Sequence, residues 1–193
     1  MSRKFDPRLK DKLLSRERYE LLQPEELLRS LGLKRGDTVA DIGCGPGFFT
    51  IPAAEIVGTH GRVLAADTQG EMLSAVKARV TEHKLTNVRV VKTSDAEVPL
   101  PAACANLALL AFTLHEIDQR SRFLNKIARL LRPNGRIAVI EWEKREDTEG
   151  PPTAERLAVE ELLKDAEAAG LRLVEQRTLN DHHYLCVFSA AGE

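Results

Sequence analysis

Residues 39–49 read VADIGCGPGFF: an apolar, strand-like run ends on a carboxylate, Asp41, and passes into a turn with glycine at alternate positions, Gly43, Gly45 and Gly47. No other stretch constrains the chain as strongly. A turn this bare lets the backbone adopt positive φ and lets backbone N–H groups come within hydrogen-bond distance of a ligand. In an open parallel sheet, ligands bind beyond the carboxyl ends of the strands where the winding direction switches, and the first strand-to-helix turn is the usual place. Taken alone, the same turn is also compatible with a tight bend that binds nothing.

Its surroundings supply the sheet. Short apolar segments at 38–43, 62–67, 88–92, 105–112 and 136–142 read as strands, mostly apolar on both faces as a covered parallel sheet requires. Between them lie amphipathic helices. Met72, Leu73, Val76 and Val80 form one stripe at helical spacing, and Phe123, Leu124, Ile127, Leu130 and Leu131 form another that runs into the stop signal RPNG. Residues 153–171 predict a further helix closed by Gly170, and 171–179 with 182–190 predict a final strand pair. The alternation predicts an α/β fold, wound by right-handed crossovers into a three-layer sandwich. At 193 residues one domain suffices, with a charged helical arm over 1–36, where Pro24 suits a helix first turn, and a core over 37–193.

Asp67 turns the glycine turn into a specific signal. It ends the second strand about 20 residues on, where a carboxylate can accept hydrogen bonds from both hydroxyls of a ribose. A nucleoside-containing cofactor is therefore expected. A dinucleotide fingerprint, G-x-G-x-x-G, would need its last glycine at Phe48, and Gly47 comes one residue early. The Tyr-x-x-x-Lys pair of short-chain oxidoreductases is absent, since Tyr19 and Tyr184 are followed at that spacing by Gln23 and Phe188. No phosphate-binding G-x-x-x-x-G-K-[ST] loop occurs either. An NAD-binding oxidoreductase is thus a remote alternative.

At this point the residues resemble a known family. VADIGCGPGFFT resembles motif I of class I S-adenosylmethionine-dependent methyltransferases, an acidic residue and a hydrophobe followed by G-x-G-x-G. The likeness continues through AAD at Asp67, TSDAEVPLP after the third strand, LALLAFTLHEI and LLRPNGRIAVIEW, covering roughly residues 25–190. The last two segments resemble the type 11 branch, which includes ubiquinone and menaquinone biosynthesis enzymes. The resemblance implies a Rossmann-like, seven-stranded sheet of order 3-2-1-4-5-7-6 with strand 7 antiparallel, and S-adenosyl-L-methionine as cofactor. The implied cofactor-binding residues are Asp41, Gly43, Cys44, Gly45 and Gly47 in the first turn, and Asp67, Thr68 and Met72 after the second strand. Asp95 and Ala96 follow the third strand, and Ala111 and Phe112 end the fourth.

The chemistry of these residues agrees with a sulfonium cofactor, because carboxylates at three strand ends favour a cation. Each also has a plainer reading: Asp41 as a turn cap, Asp67 as a helix start, Asp95 as a loop residue bonding its own backbone. Cys44, Cys104 and Cys186 lie far apart without metal-like spacing, so small buried thiols are expected, with no disulfide and no metal site. His115, just past the fourth strand, is the candidate catalytic base, with Glu116 and Trp142 nearby. A structural histidine bonding loop backbone is the competing reading.

Charge narrows the partners. Lys and Arg number 28 against 29 Asp and Glu, and the pI is near 6.5, so no general attraction to nucleic acid is expected. No Pro-Pro-aromatic motif follows the fourth strand and no Pro-Cys occurs, which directs the expectation away from base methylation and toward a small-molecule substrate. The basic cluster Arg8, Lys10, Lys12, Arg16 and Arg18 reads as a solvated face balanced by Asp11 and Glu17. Without an apolar run long enough for a leader or a span, the chain reads as cytoplasmic, with no membrane insertion. No large insertion follows the fifth strand. The pocket is therefore expected to be shallow, closed by the N-terminal arm, or completed by a second copy in a homodimer. A non-catalytic cofactor-binding module remains the alternative to an enzyme.

Overall fold

The structure, a computed structural model, describes residues 5–94, 97–146 and 150–190. A 3-10 segment, Pro7–Leu14, leads into α1 (Arg16–Leu22), whose first turn is capped by the Ser15 hydroxyl accepting from the Arg18 N–H. Gln23 reverses the chain at φ 42, and α2 (Pro24–Ser30) starts on proline, where the missing N–H has no helical partner to lose. Then come β1 (Thr38–Ile42), α3 (Thr50–Val57), β2 (Arg62–Asp67), α4 (Gly70–Glu82), β3 (Val88–Lys92) and β4 (Ala105–Ala111). The chain ends with α5 (Arg120–Ala128), β5 (Leu131–Trp142), α6 (Val159–Ala168), β6 (Leu171–Asn180) and β7 (His183–Ala190).

The seven strands form one sheet of order β3-β2-β1-β4-β5-β7-β6. Its first five strands pair in parallel, while β7 runs antiparallel to both neighbours, as the resemblance implies. Strand periodicity divides the core into two layers. Val39, Leu107, Leu109, Ala138, Ile140, Leu185 and Val187 pack with the α2 and α3 side chains. Their neighbours in sequence, Ala40, Ala108, Leu110, Ile137, Val139 and Cys186, pack with α5 and α6. Every strand residue in these central positions is thus removed from water on one side or the other, which explains why the strands lack polar alternation. Winding switches between β1 and β4, and the glycine turn emerges there.

Three local readings need correction. α5 ends at Ala128, before the RPNG run read as its stop signal and before Leu130 and Leu131 of its stripe, and RPNG lies inside β5 as a bulge. Ala105 pairs with Leu131 and Leu107 with Arg136, so the intervening β5 residues loop out, helped by Asn134 at φ 64. The helix expected over 153–171 is reduced to Val159–Ala168, after a single 3-10 turn at Thr153–Glu155. The cause is Arg156. This buried guanidinium donates to the carbonyls of Pro151, Glu143 and Arg145 and lies 5.4 Å from the Trp142 ring, tying the preceding loop down in place of another helical turn. Finally, β4 stops at Ala111, and Phe112 turns aside at φ 57.

Candidate active site

The glycine turn is built for fit more than for donation. Gly43, Gly45 and Gly47 have φ of 73, 53 and 90°, a region costly for side chains. A Cβ on Gly43 would overlap the Thr113 side chain, and one on Gly47 would lie 2.7 Å from Val76 Cγ2. At Gly45 only Leu13 Cδ1 comes near, at 3.8 Å, because that residue faces a cavity. Four of its N–H groups are engaged within the protein, three of them with the end of β2: Gly43 and Cys44 donate to Ala66 O, Gly45 to Asp67 Oδ2 at 2.9 Å, and Gly47 to Cys44 O. What the turn exposes to the cavity is space and carboxylate.

That cavity has a volume of about 1010 Å³. One side is made by the ends of β1 and β2, with Asp41, Gly43, Cys44, Gly45, Asp67 and Thr68, together with Met72 of α4. The opposite side is made by the ends of β4, β5 and β7, with Ala111, Phe112, His115, Trp142 and His183. Gly47 is not on its wall and packs instead against α4. Asp95 and Ala96 lie outside the described residues.

Asp67 is buried, and its two oxygens accept from the Gly45 and Gln69 N–H groups, at 2.9 and 2.8 Å. Each carboxylate oxygen can accept twice, so capacity for two hydroxyls remains. Asp41 is more deeply enclosed. Burial pushes its carboxyl up to about 7; the Thr50 hydroxyl, 2.5 Å away, works against that rise and the Asp67 charge adds to it. Asp41 is therefore divided between acid and carboxylate at neutral pH, and a cation in the cavity would draw it toward the charged form. The Cys44 thiol is raised well above its usual range by burial, then by Asp41 and Asp67, so it is a neutral filler rather than a nucleophile.

Across the cavity stands a pair that the sequence reading did not assemble. Glu141, fully buried near the end of β5, accepts from the backbone N–H of His115 through Oε1, at 3.1 Å, and from its ring Nδ1 through Oε2, at 2.7 Å. Burial opposes charge on the imidazole, but the Glu141 charge and hydrogen bond, with smaller help from Glu116 and Glu155, outweigh it and raise the His115 pKa. Trp142, Phe112 and His183 meet edge to face or tilted, with centroids 4.3 to 5.7 Å apart, and form an aromatic wall.

The N-terminal arm forms part of the cavity wall. Phe5, Leu9, Leu13 and Arg18 line it, and Phe5 is fastened at both backbone groups: its N–H donates to Glu116 Oε1 and its carbonyl accepts from Gln69 Nε2, each at 3.0 Å. Glu116 thus holds the arm instead of capping a turn. Arg18 does not belong to a solvated face as expected. Its guanidinium lies over the rings of Phe48 and Phe112, 4.8 and 4.9 Å from their centroids, and burial lowers its pKa to about 10. An arginine beside glutamates and a second arginine on a short helix gives no sequence sign of this. Glu141 did give one, as a lone carboxylate within the apolar strand RIAVIEW.

A mostly parallel sheet with a glycine turn at its switch point, a strand-end carboxylate beside it and a large cavity defines a Rossmann-like protein that binds a nucleoside cofactor. Residues 39–135 match the family model for the methyltransferase domain. The chain is 34% identical to a SAM-dependent methyltransferase from Aquifex aeolicus whose crystal structure covers 96% of it, with 98% of that chain matched and a TM-score of 0.91. It belongs to the S-adenosylmethionine-dependent methyltransferase family. The ubiquinone/menaquinone biosynthesis C-methyltransferase UbiE of Azotobacter vinelandii is 32% identical over 114 residues, 58% of this chain. The chain spans under half the length of that relative, 45%. The [4+2]-cyclase SpnF, 17% identical with a TM-score of 0.76 over 88% of this chain and 81% of its own, shares the fold.

The family's cofactor fits the residues present. Asp67 retains acceptor capacity for ribose hydroxyls, Asp41 answers a cation, and Gly45 leaves open space beside both. The volume is at the upper end of ordinary ligand sites, with room for a cofactor and a small second molecule.

Proposed function

We propose that this protein transfers a methyl group from S-adenosylmethionine to a small-molecule acceptor, with Asp67 and Asp41 holding the cofactor and His115 serving as general base. The observation that carries this reading is the cavity itself, which brings the cofactor-side carboxylates and the His115–Glu141 pair together under one closed arm. When bound, S-adenosylmethionine supplies an electrophilic methyl carbon and keeps the electron pair of the broken carbon–sulfur bond. The chain's own work is alignment, exclusion of water and proton removal.

Each step has residues. Phe112, Trp142 and His183 give a planar group an apolar wall to lie against. The arm, fastened at Phe5, keeps water from the reacting atoms. With Nδ1–H donated to Glu141, the lone pair of neutral His115 sits on Nε2, which takes the proton that the acceptor's nucleophilic atom loses as its own lone pair forms the new bond to carbon. The Glu141 carboxylate stabilises the imidazolium that results.

The chain is read as one domain, arm 1–36 with core 37–193, acting in the cytoplasm without specific nucleic-acid binding. No helix among the described residues is long and apolar enough to cross a membrane. A cofactor-binding module without catalysis is the second reading, and the Glu141-oriented histidine argues against it, since cofactor binding alone does not call for a buried base. The deciding experiment supplies methyl-labelled S-adenosylmethionine to the protein with a metabolite extract and identifies labelled products by mass spectrometry. Labelled product that disappears in His115→Ala supports the enzyme reading; tight cofactor binding with no labelled product supports the module.

A further inference from the structure

Arg18 is a cation placed where its charge is left unanswered. Its only hydrogen bond among the described residues is a long one, 3.5 Å, from Nη1 to the Leu13 carbonyl, and no described carboxylate lies within ion-pair distance. The guanidinium carbon lies 4.8 and 4.9 Å from the ring centroids of Phe48, after the glycine turn, and Phe112, just past the end of β4. These ring contacts use none of the five N–H donors of its rigid fork, and Arg18 lines the cavity. The cavity's fixed acids on the strand ends, Asp41 and Asp67, contribute no offset to Arg18, whose pKa responds to burial alone. Arg18 is half-buried, so an anion that meets it would offset the water it has lost, and a planar carboxylate matches the fork with two parallel hydrogen bonds.

We propose that Arg18 is an anion-recognition centre of the cavity and binds a carboxylate group, delivered either by the amino-acid end of the cofactor or by the acceptor. The proposal rests on the cofactor reading above only for the first of these sources. In either case the arm carries the group that recognises the ligand, so closure of the arm and capture of the carboxylate are one event.

Calorimetry on wild type, Arg18→Gln and Arg18→Lys tests it with three probes: S-adenosylhomocysteine, 5′-methylthioadenosine, which has the nucleoside but no amino-acid end, and benzoate. If the cofactor supplies the carboxylate, Arg18→Gln weakens S-adenosylhomocysteine about tenfold or more and leaves 5′-methylthioadenosine unchanged, with Arg18→Lys between. If the acceptor supplies it, both nucleosides bind as in wild type and Arg18→Gln abolishes benzoate binding to the S-adenosylhomocysteine complex. All three probes binding Arg18→Gln as they bind wild type would overturn the proposal. Should Arg18→Gln not fold, Arg18→Lys decides, because it keeps the charge and loses the fork. A wild-type protein that binds benzoate through Arg18 but no S-adenosylhomocysteine would sink the cofactor reading while the anion site stood.

Discussion

Glu141 holds His115 at two points, ring Nδ1 at 2.7 Å and backbone N–H at 3.1 Å, so one carboxylate fixes both the tautomer and the position of the imidazole. Replacing Glu141 with Gln keeps the shape and removes the charge. Turnover of the identified acceptor is expected to fall about 10- to 100-fold, as for loss of a partner that stabilises a protonated base. A general base works unprotonated, so activity falls on the acid side of its pKa, and in wild type that limb lies above the ordinary 6.5 of histidine. In Glu141→Gln the limb should move to lower pH. A kcat against pH profile identical in the two proteins would refute a base oriented by Glu141.

Asp41 gives cofactor binding a pH dependence of its own. With its carboxyl at about 7, the free protein must release part of a proton to offer a carboxylate to a cation, so affinity for S-adenosylmethionine should rise between pH 6 and 8. Asp41→Asn should flatten that dependence. The same shift acts on stability: neutral Asp41 favours the fold fully below pH 3.8, and this contribution is lost as pH rises through 7. Calorimetric titrations across the range, in two buffers of different ionisation enthalpy, would count the proton.

Asp67→Ala removes the acceptor for ribose hydroxyls and the anchor of the Gly45 N–H together. Binding of S-adenosylhomocysteine should weaken by about 1.5 to 3 kcal/mol, and its elevation of Tm should shrink accordingly, with NAD and NADP giving no elevation in either protein. A raised Tm with NAD and none with S-adenosylmethionine would displace the cofactor assignment.

Gly47→Ala is expected to act on stability rather than on the site. Its Cβ would press on Val76 Cγ2 from a φ of 90°, two strains that together cost about 2 to 4 kcal/mol. Urea denaturation should show the loss, and adding Val76→Ala should restore part of it by removing the contact while leaving the φ penalty.

What could be read from the sequence was whatever depends on order along the chain. Strands whose alternate residues meet two different helical layers carry apolar residues throughout, so β1, β2, β4 and β5 announce themselves, and the glycine turn with Asp67 follows from the topology. The residues that were missed depend on where elements land. Arg18 has the same helical neighbours whether α1 faces water or the cavity, and only the packing of α1 over Phe48 and Phe112 decides it. Glu141 was legible in principle, because a carboxylate in a buried strand demands a partner, yet the partner, His115, is 26 residues away. The loop before α6 was read as helix because Arg156 looks like an ordinary helical residue until its three carbonyl partners are brought around it.

The fastening of Phe5 ties the arm to both sides of the cavity. Two hydrogen bonds, each about 0.5 to 1.5 kcal/mol net, are enough to keep the arm seated most of the time and too little to keep it seated always. Both anchors, Gln69 and Glu116, stand beside Asp67 and His115 on the cavity wall, so whatever fills the cavity presses on this latch. Filling the cavity should therefore be felt at the arm, where hydrogen exchange at the Phe5 amide would register it.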